Sequence, residues 1–191
     1  MQILKEEIRE SIINIAEQEF LKRGFKEASM RSIAKKANTT QGNLYNYFSS
    51  KEALLDAVVG ELPKTIERFF KEHDRPLMDL KELETWNEEK FEEVFEQLGF
   101  ERLLSKPFII LIEGCIGTKY ESYRKEFLAL GKEHILEHLG DVKKEKLAGM
   151  LAVSFLEALI FIGKSQYSLQ EGKKAFIEYC NLFILGMLKG K

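Results

Sequence analysis

The chain has 191 residues, 45% hydrophobic and 31% charged, with only 3 prolines. That is enough to bury a core, and it is the make-up of a globular protein rather than a disordered, collagen-like or membrane-spanning one. A net charge of -2 excludes a histone-like polycation, yet the charge is unevenly spread: residues 1–51 hold nine Lys and Arg against six Glu, and the remainder 20 against 25. A mildly basic head on an acidic body suits a small nucleic-acid contact surface joined to a part that does not touch nucleic acid.

Cys115 and Cys180 each sit in an apolar run, with no second Cys or His at metal-ligand spacing. No disulfide framework is indicated, and a reducing cytoplasm is the simplest setting. The N-terminus lacks the basic start and apolar core of a signal peptide. Phe108 to Ile112, the longest unbroken aliphatic and aromatic stretch, is far short of the roughly 20 residues a membrane helix needs. No membrane partner is expected.

In chain order, Leu4, Ile8, Ile12, Ile15, Ala16 and Phe20 form the stripe of an amphipathic helix. Gly24 stops it, after two cations that suit the negative end of the helix dipole. Ser29 is an N-cap candidate for a short helix whose Met30, Ile33, Ala34 and Ala37 share a face. Asn38-Thr39-Thr40 follows as a turn, in which Asn38 tolerates a left-handed backbone. A second short helix must run over residues 41–48, with Leu44 and Phe48 as its buried pair and Gln41, Asn43, Tyr45 and Tyr47 left to face outward. Ser49 and Glu52 have capping-box spacing. The next helix carries Leu54, Leu55, Val58, Val59, Leu62, Ile66, Phe69 and Phe70, with Pro63 bending it.

Two short helices joined by a tight turn and braced by a longer one describe a helix-turn-helix. The stretch from Ser29 to Ala37, followed by Gly42-Asn43-Leu44-Tyr45-Asn46-Tyr47-Phe48 and Ser50-Lys51-Glu52-Ala53-Leu54, resembles the DNA-binding head of TetR/AcrR-type transcriptional regulators. The resemblance covers roughly the first 55 residues. In two places the chain departs from that family: Asn38 stands where its turn commonly has Gly, and Asn43 where a small hydroxyl residue often follows Gly42. The second departure alters a base or phosphate contact, so the operator sequence cannot be borrowed from relatives.

The chemistry suits DNA. Gln41 and Asn43 can form paired hydrogen bonds with adenine or single ones with other bases. Thr40, Tyr45, Tyr47 and Lys51 can hold phosphates, as their equivalents in the resembled family commonly do, and Arg31 can reach a base or a phosphate. Gly42 allows close approach. The alternative is that Tyr45 and Tyr47 are packing residues and Gln41 and Asn43 solvated polars.

Beyond residue 73 the pattern is helix after helix: one or two within 80–97, an apolar segment 100–115, an amphipathic one over 120–139 closed by Gly140, then 143–162 and 172–188. The expectation is an all-α fold of about nine helices. A helix-turn-helix head of three helices, residues 1–50, is joined to a helical ligand-sensing and dimerisation body, residues 51–191, with 51–73 as the connecting helix.

One head reads few base pairs, and specificity normally comes from two half-sites about 34–36 Å apart, so a homodimer on a two-fold symmetric double-stranded operator is expected. Phe155, Leu159, Phe176, Tyr179 and Phe183 are the interface candidates, because the last two helices are apolar on more than one face; two-sided core helices are the alternative. In the resembled family the body often encloses a small-molecule pocket. Trp86, Phe91, Phe95, Phe108 and Phe127 are candidates to line one, and Glu113 and Glu157 to orient a cationic group within it; the alternatives are plain core aromatics and salt-bridged or solvent-facing acids. His134 and His138 are four apart, but two ligands do not make a metal site. No catalytic set, phosphate loop or dinucleotide fingerprint is present, so neither enzyme activity nor a cofactor is expected. The favoured function is a one-component repressor with a hydrophobic or amphipathic effector. Its rivals are a same-fold DNA-binding protein without an effector, acting in chromosome organisation or under protein control, and a helical binding protein whose head no longer reads DNA.

Overall fold

The computed structural model describes residues 2–72, 88–97 and 99–189, and within these not the side chains of residues 2–4, 69, 71, 72, 88, 91, 94, 95, 100, 183–185 and 187–189. All regular structure among the described residues is helical: α1 (Gln2–Glu27), α2 (Met30–Lys36), α3 (Gln41–Tyr47), α4 (Lys51–Val59), α5 (Leu62–Glu72), α6 (Glu88–Gln97), α7 (Lys106–Glu113), α8 (Tyr123–Leu139), α9 (Glu145–Lys164) and α10 (Leu169–Lys189). Short 3-10 turns lie at Phe100–Leu104 and Val142–Lys144. The chain forms two compact units, Met1–Pro63 with Lys106–Arg124, and Lys64–Ser105 with Lys125–Lys191.

In the first unit α1 buries Ile12, Ala16 and Phe20 at four-residue steps, the spacing that keeps side chains on one helix face. Helices α2, α4 and α7 pack against α1, and α3 packs against α2. Helix α7 comes from far along the chain, and its Phe108, Ile109, Ile110, Leu111 and Ile112 are all buried. A helix apolar all round is a helix enclosed all round. At Gly24 the backbone takes φ 71 and ψ 167, a region open essentially to glycine. The kink turns the Phe25 N–H onto the Gly114 carbonyl at 2.7 Å and sets the Phe25 ring against Phe20, centroids 5.8 Å apart. A second tie joins α4 to the segment after α7: Asp56 accepts from Lys119 Nζ at 2.8 Å and from the Tyr120 hydroxyl at 3.0 Å.

The apolar pattern from residue 51 to 73 is two helices, not one bent at Pro63. Gly60, at φ 54, ends α4, and α5 begins at Leu62. Pro63 therefore lies in the first turn of α5, where the N–H it lacks has no helical acceptor. The cap of α4 also differs by one residue. Ser50, not Ser49, has the extended cap backbone, and its side chain accepts from Ala53 N at 3.1 Å.

In the second unit α9 packs on α10, with Leu156, Leu159 and Phe176 fully buried. Ile135 and Leu139 of α8 meet Ala148 and Ala152 of α9. Gly140, at φ 65, follows the last residue of α8. Lys173 of α10, itself buried, reaches Glu96 of α6 at 2.6 Å, and Arg102 donates to Thr65 at 3.0 Å. Among the described residues the segment Val142–Lys164 alone is long and apolar enough by composition to cross a membrane. Part of that apolarity serves a core, since Leu156, Leu159 and Ile160 are buried, but only 33% of its most apolar window is enclosed, and Glu157 is exposed.

Candidate nucleic-acid interface

Helices α2 and α3 are fixed by local chemistry. The Ser29 side chain caps α2, accepting from Ser32 N at 3.4 Å, and the Thr40 side chain caps α3, accepting from Asn43 N at 3.1 Å. Each cap satisfies an N–H the helix itself leaves over. Between them Asn38 takes φ 52, the one non-glycine positive φ among the described residues, so this residue carries the left-handed turn. Met30, Ile33 and Ala34 of α2 and Leu44 and Phe48 at α3 are buried. These anchors decide which face of α3 is left outside.

That face carries Gln41, Gly42, Tyr45 and Asn46, all exposed, with Asn43 and Tyr47 half-buried beside them. Tyr45 is 45% accessible. Arg31 and Thr40 are exposed as well. The Thr40 oxygen accepts from the helix, which leaves its O–H proton to donate to a phosphate. Gly42 is the second residue of α3, where glycine costs about 0.5 kcal/mol relative to alanine, yet a Cβ at this position would meet no protein atom within 4 Å. Nothing inside the chain asks for glycine at this position. Asn43 donates through Nδ2 to the Thr39 hydroxyl oxygen at 2.7 Å, a contact that sequence reasoning missed although the four-residue spacing of the pair was visible.

Lys51 is placed differently from the expectation that it holds phosphate. Its ammonium donates to the carbonyls of Phe25, Lys26 and Ala28 at 2.8, 3.2 and 3.1 Å, and it lies 4.4 Å from the Phe25 ring centroid. All three N–H donors of a lysine are thus occupied, and they stabilise carbonyls at the end of α1 where a cation is favoured. A second brace joins α1 to the end of α2. Glu19, 2% exposed, pairs with Lys36 and lies 3.5 Å from Arg23 Nε. The Lys36 hydrogen bond, opposed by burial, holds the Glu19 carboxyl below its ordinary range.

The body residues separate. Phe108 and Phe127 are buried, and Phe127 packs edge-on against Phe70 at 5.4 Å. Glu113 is exposed and 3.9 Å from Arg124, and Glu157 is exposed on α9. Neither acid stands in an apolar wall, because each leaves its helix on the solvent side. Trp86 lies outside the described residues, as do the side chains of Phe91, Phe95 and Phe183. Of the expected interface residues, Leu159 and Phe176 are fully buried in their own unit, and Phe155 and Tyr179 pack against Phe176 at 5.5 and 6.3 Å. The apolar side chains that α9 and α10 leave open are others, among them Met150 at 71% exposure, Phe161 at 69% and Leu182 at 74%, with Leu147, Val153 and Leu169. Ser154 and Tyr179 bridge the two helices by a 2.9 Å hydrogen bond. The rings of His134 and His138 meet edge-on at 4.7 Å, and no group of three or more His, Cys, Asp and Glu among the described residues is placed to hold a metal ion. Burial pushes the Cys115 thiol up to about 11 and the Cys180 thiol to about 12.

Residues 12–58 match the family described as "Bacterial regulatory proteins, tetR family". The chain is 41% identical over 59 residues to the HTH-type transcriptional regulator UidR of Escherichia coli (strain K12), a match covering 31% of this chain and 30% of the relative. It is 36% identical over 70 residues to the A-factor receptor protein of Streptomyces griseus, covering 37% of this chain and 25% of the relative. The match therefore spans less than a third of either relative's length. Among solved structures, a TetR-like transcriptional regulator from Rhodococcus sp. RHA1 superposes with a TM-score of 0.58 at 21% identity, covering 96% of this chain and 97% of that one. A transcriptional regulator (TerR/AcrR family) from Aquifex aeolicus VF5 superposes with a TM-score of 0.53 at 22% identity, covering 92% and 98%. The whole chain shares their fold, and its residues 12–58 match the tetR family of bacterial regulatory proteins.

Proposed function

We propose that the chain is a one-component, dimeric DNA-binding transcriptional regulator, a repressor whose operator affinity is altered by a small hydrophobic or amphipathic molecule held in the second unit. Gly42 carries this proposal. A glycine that costs helix stability, with open space where its side chain would stand, serves close approach to something outside the chain. The flanking Gln41, Asn43, Tyr45 and Tyr47 have the chemistry of base and phosphate contacts. The exposed Met150, Val153, Phe161 and Leu182 form the surface on which two copies meet, since large apolar side chains left open mark association sites. A two-fold pair of heads then addresses two half-sites. The effector rests on the enclosed aromatic Phe127 of the second unit, packed edge-on against Phe70, and on a relative named as a receptor.

Capture of genomic fragments by the purified full chain at about 0.15 M salt tests the proposal, because lower salt inflates non-specific phosphate binding. The expected result is a handful of fragments sharing a two-fold symmetric motif. Many dispersed sites without a motif would replace it with an architectural role. No enrichment, repeated after unfolding and refolding to remove any carried ligand, would overturn it.

A further inference from the structure

We infer that Asn43, held in place by Thr39, reads one adenine in each half-site, which makes Thr39 a positioning residue for base recognition. The inference rests on the proposal that α3 enters a DNA groove. Its observation is a double anchor. The Asn43 main-chain N–H is bound by the Thr40 hydroxyl oxygen at 3.1 Å, and its side-chain Nδ2 donates to the Thr39 hydroxyl oxygen at 2.7 Å. Thr39 lies in the turn ahead of the helix, and Asn43 is half-buried at the rim of the exposed face.

A carboxamide has two N–H donors and one acceptor oxygen. With one N–H given to Thr39, the group keeps one donor and one acceptor, and its plane is fixed before DNA arrives. In the major groove adenine offers N7 as acceptor beside the N6 donor, the complement of that pair. Guanine offers two acceptors, cytosine a donor alone and thymine an acceptor alone, so each meets at most half of what the amide presents. Fixing the rotamer in the free protein spares the ordering cost that a loose asparagine pays on binding, and an amide held in one plane cannot turn to suit another base. Gln41, exposed two residues earlier, reaches from a longer side chain and supplies a second contact with less positional selectivity.

The test is selection of tight binders from a pool of random duplexes of about 30 base pairs by the full-length protein and by Asn43→Ala, Thr39→Val and Thr39→Ser. The wild type is expected to select a two-fold motif with one position per half-site held to adenine by about tenfold or more. Asn43→Ala erases the preference at that position and leaves the others. Thr39→Val keeps the shape but removes the acceptor, and it weakens the same preference several-fold; Thr39→Ser retains the acceptor and restores it. An adenine preference that survives Asn43→Ala refutes the readout. One lost in Asn43→Ala but kept in Thr39→Val refutes the positioning. A wild type that selects no motif refutes the DNA-binding proposal itself, a separate failure. Helical circular dichroism and melting of each variant identify unfolding, and Thr39→Ala, which also removes the acceptor, decides the matter by the same criterion if Thr39→Val does not fold.

Discussion

Replacing Lys51 by methionine separates two roles that a lysine at this position can have. The side chain keeps its apolar stem and loses three hydrogen bonds, at 2.8, 3.1 and 3.2 Å, and the cation 4.4 Å from the Phe25 ring. Hydrogen bonds to a charged group contribute about 1.5–3 kcal/mol each when the acceptor is left dry. Lys51 is only half-buried, so water replaces part of what is lost, and the three are not additive. Together with a cation–π contribution of about 0.5–1 kcal/mol, the loss comes to about 2–3 kcal/mol. Urea unfolding followed by circular dichroism then shows a midpoint lowered by about 1 M. Binding to a mixed-sequence duplex, measured against salt where the variant is fully folded, keeps its slope. A phosphate contact behaves in the opposite way: the urea midpoint stays put and the slope of log K against log salt falls by about 0.9 for each head. That second pair of results would refute the capping role and restore the phosphate role.

Other outcomes follow from the same geometry. Glu19→Gln is expected to cost about 1–2 kcal/mol at neutral pH, less than a fully buried pair would, because Lys36 is half exposed. The folded state holds the Glu19 carboxyl below its ordinary value of 4.5, so its stabilisation is complete above that pH and is lost as pH falls through the lowered value; urea midpoints of wild type and variant should converge on acidification. Gly42→Ala should raise stability by about 0.5 kcal/mol while weakening operator binding about tenfold, a clash of roughly 1.4 kcal/mol, read by melting and duplex titration on the same preparation. Met150→Glu with Phe161→Glu should give folded monomers in sedimentation, since the two changes remove about 3 kcal/mol or more of apolar burial per dimer; an unchanged dimer would place the interface elsewhere.

The parts of the fold legible in the sequence are those written in neighbouring residues. Ser29, Asn38 and the Leu44–Phe48 pair announce caps, turn and buried face within a few positions of where each acts. The break at Gly60 was hidden because Leu55, Val58, Leu62 and Ile66 keep helical step across it; only the backbone angle reveals it. The carbonyl contacts of Lys51 were hidden for a different reason, since its acceptors lie 23 to 26 residues away. On α9 periodicity displays two apolar faces without saying which is inside. Leu159 and Phe176 went to the core, and Met150 and Phe161 were left out. Of the outward residues of α3, Gln41 and Tyr45 were legible, whereas the exposure of Asn46, the half-burial of Asn43 and Tyr47 and the Thr39 contact were not.

The first unit takes its last helix from residues 106–124, and this gives the DNA-reading head a place in time. A ribosome adding about 5–20 residues per second needs several seconds to pass from Pro63 to Arg124. Until then the sides of α1 and α4 that α7 covers have no partner, and Phe25 N–H has no Gly114 carbonyl to meet. The head therefore matures only after the whole of the second unit's first stretch, residues 64–105, has been made. A nascent chain stalled near residue 70 carries every residue of the helix-turn-helix without the support that sets it, and a gene fragment cut at that point inherits the same deficit.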